Sequence, residues 1–462
     1  MIKRNLIILI QWLAATFILL HPALWNRFPL VNSDTGTYLS MAYSRIAAAD
    51  RPVFYGLFIK CTALYGSLWS VIIIQNLLLA ITLWCFLKKF FQDFSSFNYF
   101  LIIIILSYTT SISLFSCQIM TDVFTPLLIL SSFILLFGET SIPEKIFFSV
   151  LFMLSSVVHY SNLMLIFAIF ILLVLIQYFF FRKDALLTLK VITAFSVLLL
   201  LTCFITPLRN YQKEGKFYYS HYNGIMLAGK LIETGIFKTY LNETCSTNHY
   251  AICDYKDVLP SMHPSFLYNS DSPLNSSLGG WDKADKELSI VCKNAIIKHP
   301  LLFITTSLEC SASNLFRFNV GSGINPYMPG TSVHDQILYF YNDQFNRWST
   351  SRQQFDQLNF DLLRIIQDIF ICFSLAFILI LLLYKKFREE IPLTTKYFFL
   401  TVLSAFILNA LITGTLASAH DDRYQTRLAW LACLPFLFYI VPILERKIFN
   451  WVKELIKAGI SS

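Results

Sequence analysis

Two carboxylates near the beginning of the chain and two guanidiniums near its end have the types and spacing to do chemistry. Asp34 lies in Asn32-Ser33-Asp34-Thr35-Gly36-Thr37-Tyr38, a polar, aromatic-rich stretch between two apolar runs. A partly desolvated carboxylate there can act as a general base toward a hydroxyl or amine. Asp122 follows in Met120-Thr121-Asp122-Val123, at the edge of another apolar run. Ionisable residues at such depth are uncommon and often functional. Capping of a following helix is the competing account for both, because Asp is a good N-cap.

Arg423 and Arg427 are four apart, so a helix places them on one face. Guanidiniums bind phosphate or pyrophosphate bidentately. Anionic headgroups, or ion pairs with Asp421 and Asp422, would use the same side chains differently. Arg51, just before Pro52, is a further candidate for the same phosphate, with Tyr55 and Tyr424 beside the two arginine positions. His159, in Val158-His159-Tyr160-Ser161, could bond a phosphate or sugar hydroxyl, or serve as an ordinary interfacial histidine. Asp34 and Asp122 facing one another could hold a divalent cation, magnesium or manganese, with water and phosphate oxygens. Two oxygen ligands alone do not define such a site. His420-Asp421-Asp422 has a metal-like composition but reads equally as a solvated trio.

The elements that must position these residues are apolar. Of 462 residues 56% are hydrophobic and 14% charged, with 44 Phe and a mean hydropathy of +0.59. A soluble domain carries roughly a quarter charged residues. The fold class expected is therefore an α-helical polytopic membrane protein of about ten transmembrane helices, near 5–25, 68–87, 97–115, 119–137, 145–159, 162–181, 185–206, 363–384, 393–415 and 428–444. Basic clusters at Lys3-Arg4, Lys88-Lys89, Lys145, Arg182-Lys183, Lys385-Lys386-Arg388 and Arg446-Lys447 all fall on one side if each span crosses once. That makes them cytoplasmic. The net charge of +8 is then an orientation signal, not a nucleic-acid footprint. The first run is longer than a signal-peptide core and lacks a small-residue cleavage site, so it is expected to remain as a span.

This count leaves 26–67, the turns near 116–118 and 159–162, the segment 207–362 and the loop 416–427 on the outer face. The chain divides into an N-terminal transmembrane region with catalytic outer loops (1–206), an extracytoplasmic, mixed but mainly helical domain (207–362), and a C-terminal transmembrane region (363–462). Within the middle part, Ala284, Leu288, Val291, Ala295 and Ile296 recur at helical spacing over Trp281 to His299. Cys245 and Cys253 could close a short loop in an oxidising compartment or stay as thiols; no cysteine spacing resembles a zinc site.

Taken together, these features resemble the GT-C superfamily of polytopic glycosyltransferases, which includes protein O-mannosyltransferases and aminoarabinose transferases. The residues that carry the resemblance are Asp34 in the first outer loop, Arg51-Pro52-Val53-Phe54-Tyr55-Gly56 after it, Met120-Thr121-Asp122 opening the fourth span, and Arg423-Tyr424 opening a late one. The chain departs from the family pattern in having Gln425-Thr426-Arg427 where a proline often follows, and in carrying its large insertion between the seventh and eighth spans. The resemblance implies an inverting transferase that moves a sugar from a polyprenyl-phosphate donor to a lipid, glycan or protein acceptor on the periplasmic face of the inner membrane. It implies Asp34 as base, Asp122 as a second acidic group for substrate or metal, and Arg423 on the lipid phosphate. A lipid-linked donor is needed because no nucleotide is available outside the cell. The rival readings are a surface-polysaccharide polymerase or ligase and a lipid or polysaccharide transporter. A transporter is disfavoured by the absence of paired, broken midplane segments.

Overall fold

A computed structural model describes residues 2–182, 184–417 and 421–460. The chain is helical; among the described residues the only extended pairing is an isolated bridge between Leu30 and Gln118. Among the described residues six helices are long and apolar enough to cross a membrane: Leu68–Phe90, Tyr160–Phe180, Leu189–Glu214, Asp361–Leu383, Leu393–Leu416 and Arg423–Trp451. The Leu189–Glu214 helix shows why lipid is required. Only 28% of its apolar window is buried, and Val197, Leu200, Leu201 and Phe204 are exposed. In water that stripe would be an unsatisfied apolar patch; in a bilayer it needs no partner.

The other expected spans are helical as well but shorter. Ser96–Thr109 and Phe124–Phe137 are apolar and have 14 residues each, about 21 Å of helix, less than a hydrocarbon core. The Phe124–Phe137 helix is buried nearly all round, so it fills the middle of the bundle. These helices, with the six spans, share one large core that includes Phe86, Phe133, Phe152, Phe398 and Trp430.

The segment 207–362 divides in two. Helices Asn223–Glu233, Ile236–Thr244, His263–Tyr268 and Gly280–Lys298 enclose their own core of Ile225, Leu231, Phe237, Leu267, Leu288 and Val291. A Cys245–Cys253 disulfide closes a loop in this subdomain. The helix expected over 281–299 is present one residue earlier, as Gly280–Lys298. Pro300 then opens a further helix, Pro300–Leu315, after a 97° bend. That helix lies along the Leu393–Leu416 span, with Ser307, Ser311 and Asn314 turned inward. The pair is so close that a Cβ on Gly414 would meet the Ser311 backbone at 2.6 Å. Residues 318–353 belong instead to the main core, through Phe318, Ile324, Val333, Ile337, Tyr341 and Trp348.

Candidate functional site

The site is built at one end of the bundle, where the first loop, the 116–122 turn and the start of the last helix are tied together. Backbone bonds Leu30 N to Cys117 O (3.0 Å) and Ile119 N to Leu30 O (2.9 Å) join the first two. The Thr35 hydroxyl adds a bond to Ile119 O. From below, the Gln75 amide donates to Ser116 O and Gln118 O. From above, Gln353 bonds both the N–H and the carbonyl of Val31. Buried backbone needs such partners, and here side chains supply what a sheet would have given.

The Thr35–Ser44 helix starts directly after Asp34, yet the Asp34 carboxylate makes no capping bond. One oxygen faces Arg51 Nη1 at 3.1 Å and the other faces Arg423 Nη1 at 3.0 Å. Burial alone would raise this carboxyl, but the two guanidiniums outweigh it and hold it well below the usual carboxylate range. Arg423 also donates to Asn32 Oδ1 at 3.1 Å and to Asp421 Oδ2 at 3.2 Å. Arg51 is held by Asp50 through its Nε, at 3.0 Å, and lies over the Tyr38 ring at 5.3 Å. Gly36 allows the loop above to close down: a Cβ there would sit 2.5 Å from the Ser332 carbonyl carbon.

A second ion pair lies deeper. Arg427 Nη1 is 3.4 Å from Asp122 Oδ1, with side chains 1% and 4% exposed. Its Nη2 reaches Asn409 Oδ1 at 3.2 Å and the Ser161 hydroxyl at 3.4 Å. Among the described residues, Asp122 Oδ2 and Arg427 Nε have no hydrogen-bond partner. The Phe124–Phe137 helix takes no capping bond from Asp122. His159 does cap: its Nδ1 accepts from Ser161 N–H at 3.3 Å and lies 2.8 Å from the Ser161 hydroxyl. It thus supports the Ser161–Arg427 contact. The Tyr424 ring lies against both guanidiniums, 5.9 Å from Arg423 and 5.7 Å from Arg427, within reach for cation–π attraction.

The structure therefore gathers Asp34, Arg51, Arg423 and Tyr424 at a partly exposed surface, with Asp122, Arg427 and His159 beneath. Tyr55 lies apart. It is fully buried, donates to Gln75 Oε1 at 2.6 Å and packs edge-on against Tyr38. It holds the loop rather than a ligand. Of the expected trio, His420 lies outside the described residues, Asp421 pairs with Arg423, and Asp422 pairs with Asn319 and Arg317. Among the described residues no three His, Cys, Asp or Glu side chains gather as a metal site. Asp34 and Asp122 each face a guanidinium, so a cation between them would meet like charge.

Residues not singled out from sequence also take part. Asn32 shares the Arg423 nitrogen that holds Asp34. Asn409 is a lone amide in an apolar helix, a signal of the kind that marks membrane sites. Tyr268, from the separate subdomain, donates to Asp50 at 2.8 Å, so a chain of contacts runs Tyr268–Asp50–Arg51–Asp34–Arg423.

Comparison with protein families, curated proteins and solved structures returns no match.

Proposed function

We propose that the protein is an inverting glycosyltransferase of GT-C type. On this reading it crosses the cytoplasmic membrane about ten times, takes a sugar from a polyprenyl-phosphate donor, and passes it to an acceptor hydroxyl or amine on the periplasmic face. The observation that carries the reading is the carboxylate of Asp34, from the first loop, held between Arg51 and the Arg423 guanidinium of the last helix. An apolar groove of about 530 Å³ between the helices bearing Ile105, Ile366 and Phe436 supports lateral access for a lipid chain.

The ion pairs suggest an order of events. In the resting arrangement Asp34 is a weak base, because two cations stabilise its charged form. The donor phosphate competes with Asp34 for Arg423, which binds phosphate well. Once Arg423 turns to the phosphate, Asp34 loses one neutralising partner and becomes more basic. It then takes the proton of the acceptor O–H or N–H as that atom attacks the anomeric carbon. The C–O bond to the phosphate breaks on the opposite side, and the phosphate leaves with the electron pair on Arg423. Attack and departure on opposite faces invert the anomeric centre. Asp122, Arg427 and Tyr424 keep Arg423's helix in place.

The test compares surface lipids and glycans of cells with and without the protein by mass spectrometry. A sugar residue missing from one lipid or glycan supports the reading; identical profiles, with the wild-type protein shown to be expressed, count against it.

A further inference from the structure

Asn32 is 2% exposed, and both ends of its side-chain amide are committed. Its Oδ1 accepts from Arg423 Nη1 at 3.1 Å and from the Ser33 hydroxyl at 3.0 Å. Its Nδ2 donates to Ser322 O at 3.2 Å. A reversed amide would set its NH₂ against a guanidinium and its oxygen against a carbonyl, so these partners fix which way it faces. Ser322 belongs to a strap, residues 318–332, that crosses the first loop. Ser322 rests on Asn32 and Ser332 rests on Gly36, so the two contacts bracket Asp34. Gly323 brings the strap this near: its φ is +74°, and a Cβ there would stand 2.1 Å from Asn32 Nδ2.

The root of the strap is held by the helix that carries Arg423. Asn319 Nδ2 donates to Asp422 Oδ2 at 2.7 Å, and the Thr426 hydroxyl donates to Asn319 O at 3.1 Å. The far half has a separate anchorage. Gln353 Nε2 donates to Asn325 O at 3.1 Å, and Tyr327 N–H donates to Gln354 Oε1 at 3.0 Å. Between these anchorages, residues 321–324 form a turn closed by Ile324 N–H on Gly321 O at 3.0 Å, and that turn sits on Asn32. Arg423, Asn32 and the turn therefore form one chain of contacts, with a neutral amide as its middle link.

We infer that Asn32 is a positioning residue that couples Arg423 to this turn. While Arg423 grips the amide oxygen, the amide is fixed and the turn stays down beside Asp34. When Arg423 leaves, the amide is free to swing and the turn lifts. The coupling deepens the glycosyltransferase reading and rests on it in one respect: there, the anion that draws Arg423 away is the donor phosphate. The donor must then bind before an acceptor gains room at Asp34, which keeps water from the site until a sugar is in place.

The test uses full-length protein in phosphatidylcholine nanodiscs and amide hydrogen exchange resolved to single residues by mass spectrometry. Arg423→Gln should speed exchange at Ile324 about tenfold or more and leave Tyr327, held by Gln354, unchanged. Asn32→Leu should do the same. Adding Arg423→Gln to Asn32→Leu should change nothing further, because the link is already cut. Should Asn32→Leu not fold, Asn32→Asp serves in its place. It keeps an acceptor for Arg423 but sets an oxygen against Ser322 O, so it should speed Ile324 alone. An unmoved Ile324 in Arg423→Gln, equal acceleration at Tyr327, or the same effect of Arg423→Gln with and without Asn32 overturns the coupling. Inorganic pyrophosphate then stands in for the donor. Saturable acceleration at Ile324 in wild type, lost in Arg423→Gln, supports an anion as the trigger. Pyrophosphate without effect, with the variants behaving as expected, leaves the coupling supported and counts against Arg423 as the phosphate holder, so failure of the reaction reading is told apart from failure of the coupling.

Discussion

Arg423 Nη1 lies 3.0 Å from Asp34 Oδ2 although 389 residues separate them in the chain. The same nitrogen is 3.1 Å from Asn32 Oδ1. One guanidinium from the last helix therefore fixes both polar atoms of the first loop, and the chemistry proposed for Asp34 depends on when that grip is released.

Asp34→Asn should abolish transfer, with a loss on the order of 10²–10⁴-fold for a missing general base, while leaving expression and detergent-solubilised monodispersity unchanged. Activity kept within a few-fold of wild type would remove Asp34 from the mechanism.

The same carboxyl has a pH signature. Its folded value is depressed, so its stabilising contribution is present above the unfolded carboxyl range, about pH 4, and fades as pH falls below it. Wild type should be more stable than Asp34→Asn from pH 5 to 8, with the difference shrinking in stronger acid. Thermal unfolding across that range measures it; a gap that widens on acidification has the wrong sign.

Arg423→Lys keeps the charge but not the fork. Lys offers one point charge where Arg423 now bonds Asn32, Asp34 and Asp421 through two nitrogens. Donor KM should rise about tenfold or more, and Arg51→Lys should be milder, because in the proposed order of events Arg423 turns to the phosphate while Arg51 stays on Asp34. Equal effects at both positions would argue against a distinct phosphate role for Arg423.

Asp122 and Arg427 make a buried pair. Removing one partner, as in Arg427→Met, should cost about 3–5 kcal/mol. The double variant Asp122→Leu with Arg427→Met should recover much of that loss, since an apolar replacement of both charges is often neutral. Calorimetry in detergent reads the cycle. Additive losses would mean that the two side chains act independently.

Cys245→Ser with Cys253→Ser should lower the stability of the separate subdomain by about 2–3 kcal/mol, the scale for closing a loop of this length. Alkylation before and after reduction, read by mass, should show two extra reactive thiols only after reduction. A single small core of its own leaves that loss visible as an earlier unfolding step.

Much of the polar cluster was legible because charge stands out in an apolar chain. Asp34, Asp122, Arg423 and Arg427 are conspicuous against long hydrophobic runs, and the run of spans put them at one end. The helix over 281–299 was legible from its apolar period. What periodicity does not carry is pairing. Nothing in Tyr55 announces that its hydroxyl turns to Gln75, and nothing in Lys230 announces burial. The Pro300–Leu315 helix sits in a stretch assigned to the outer domain, yet its small polar face packs on a membrane helix. Ser307, Ser311 and Asn314 on that face read as solvent-facing in water and as helix-packing residues in lipid; the solvent decides, and a single sequence does not state it.

Because Asp34 and Asp122 are synthesised long before Arg423 and Arg427, neither acid gains its counter-ion from the Arg423–Ile460 helix until the hundreds of residues between them have been made. Until then Asp122 stands bare among apolar helices. A chain truncated anywhere short of residue 427 would keep Asp122 without that partner.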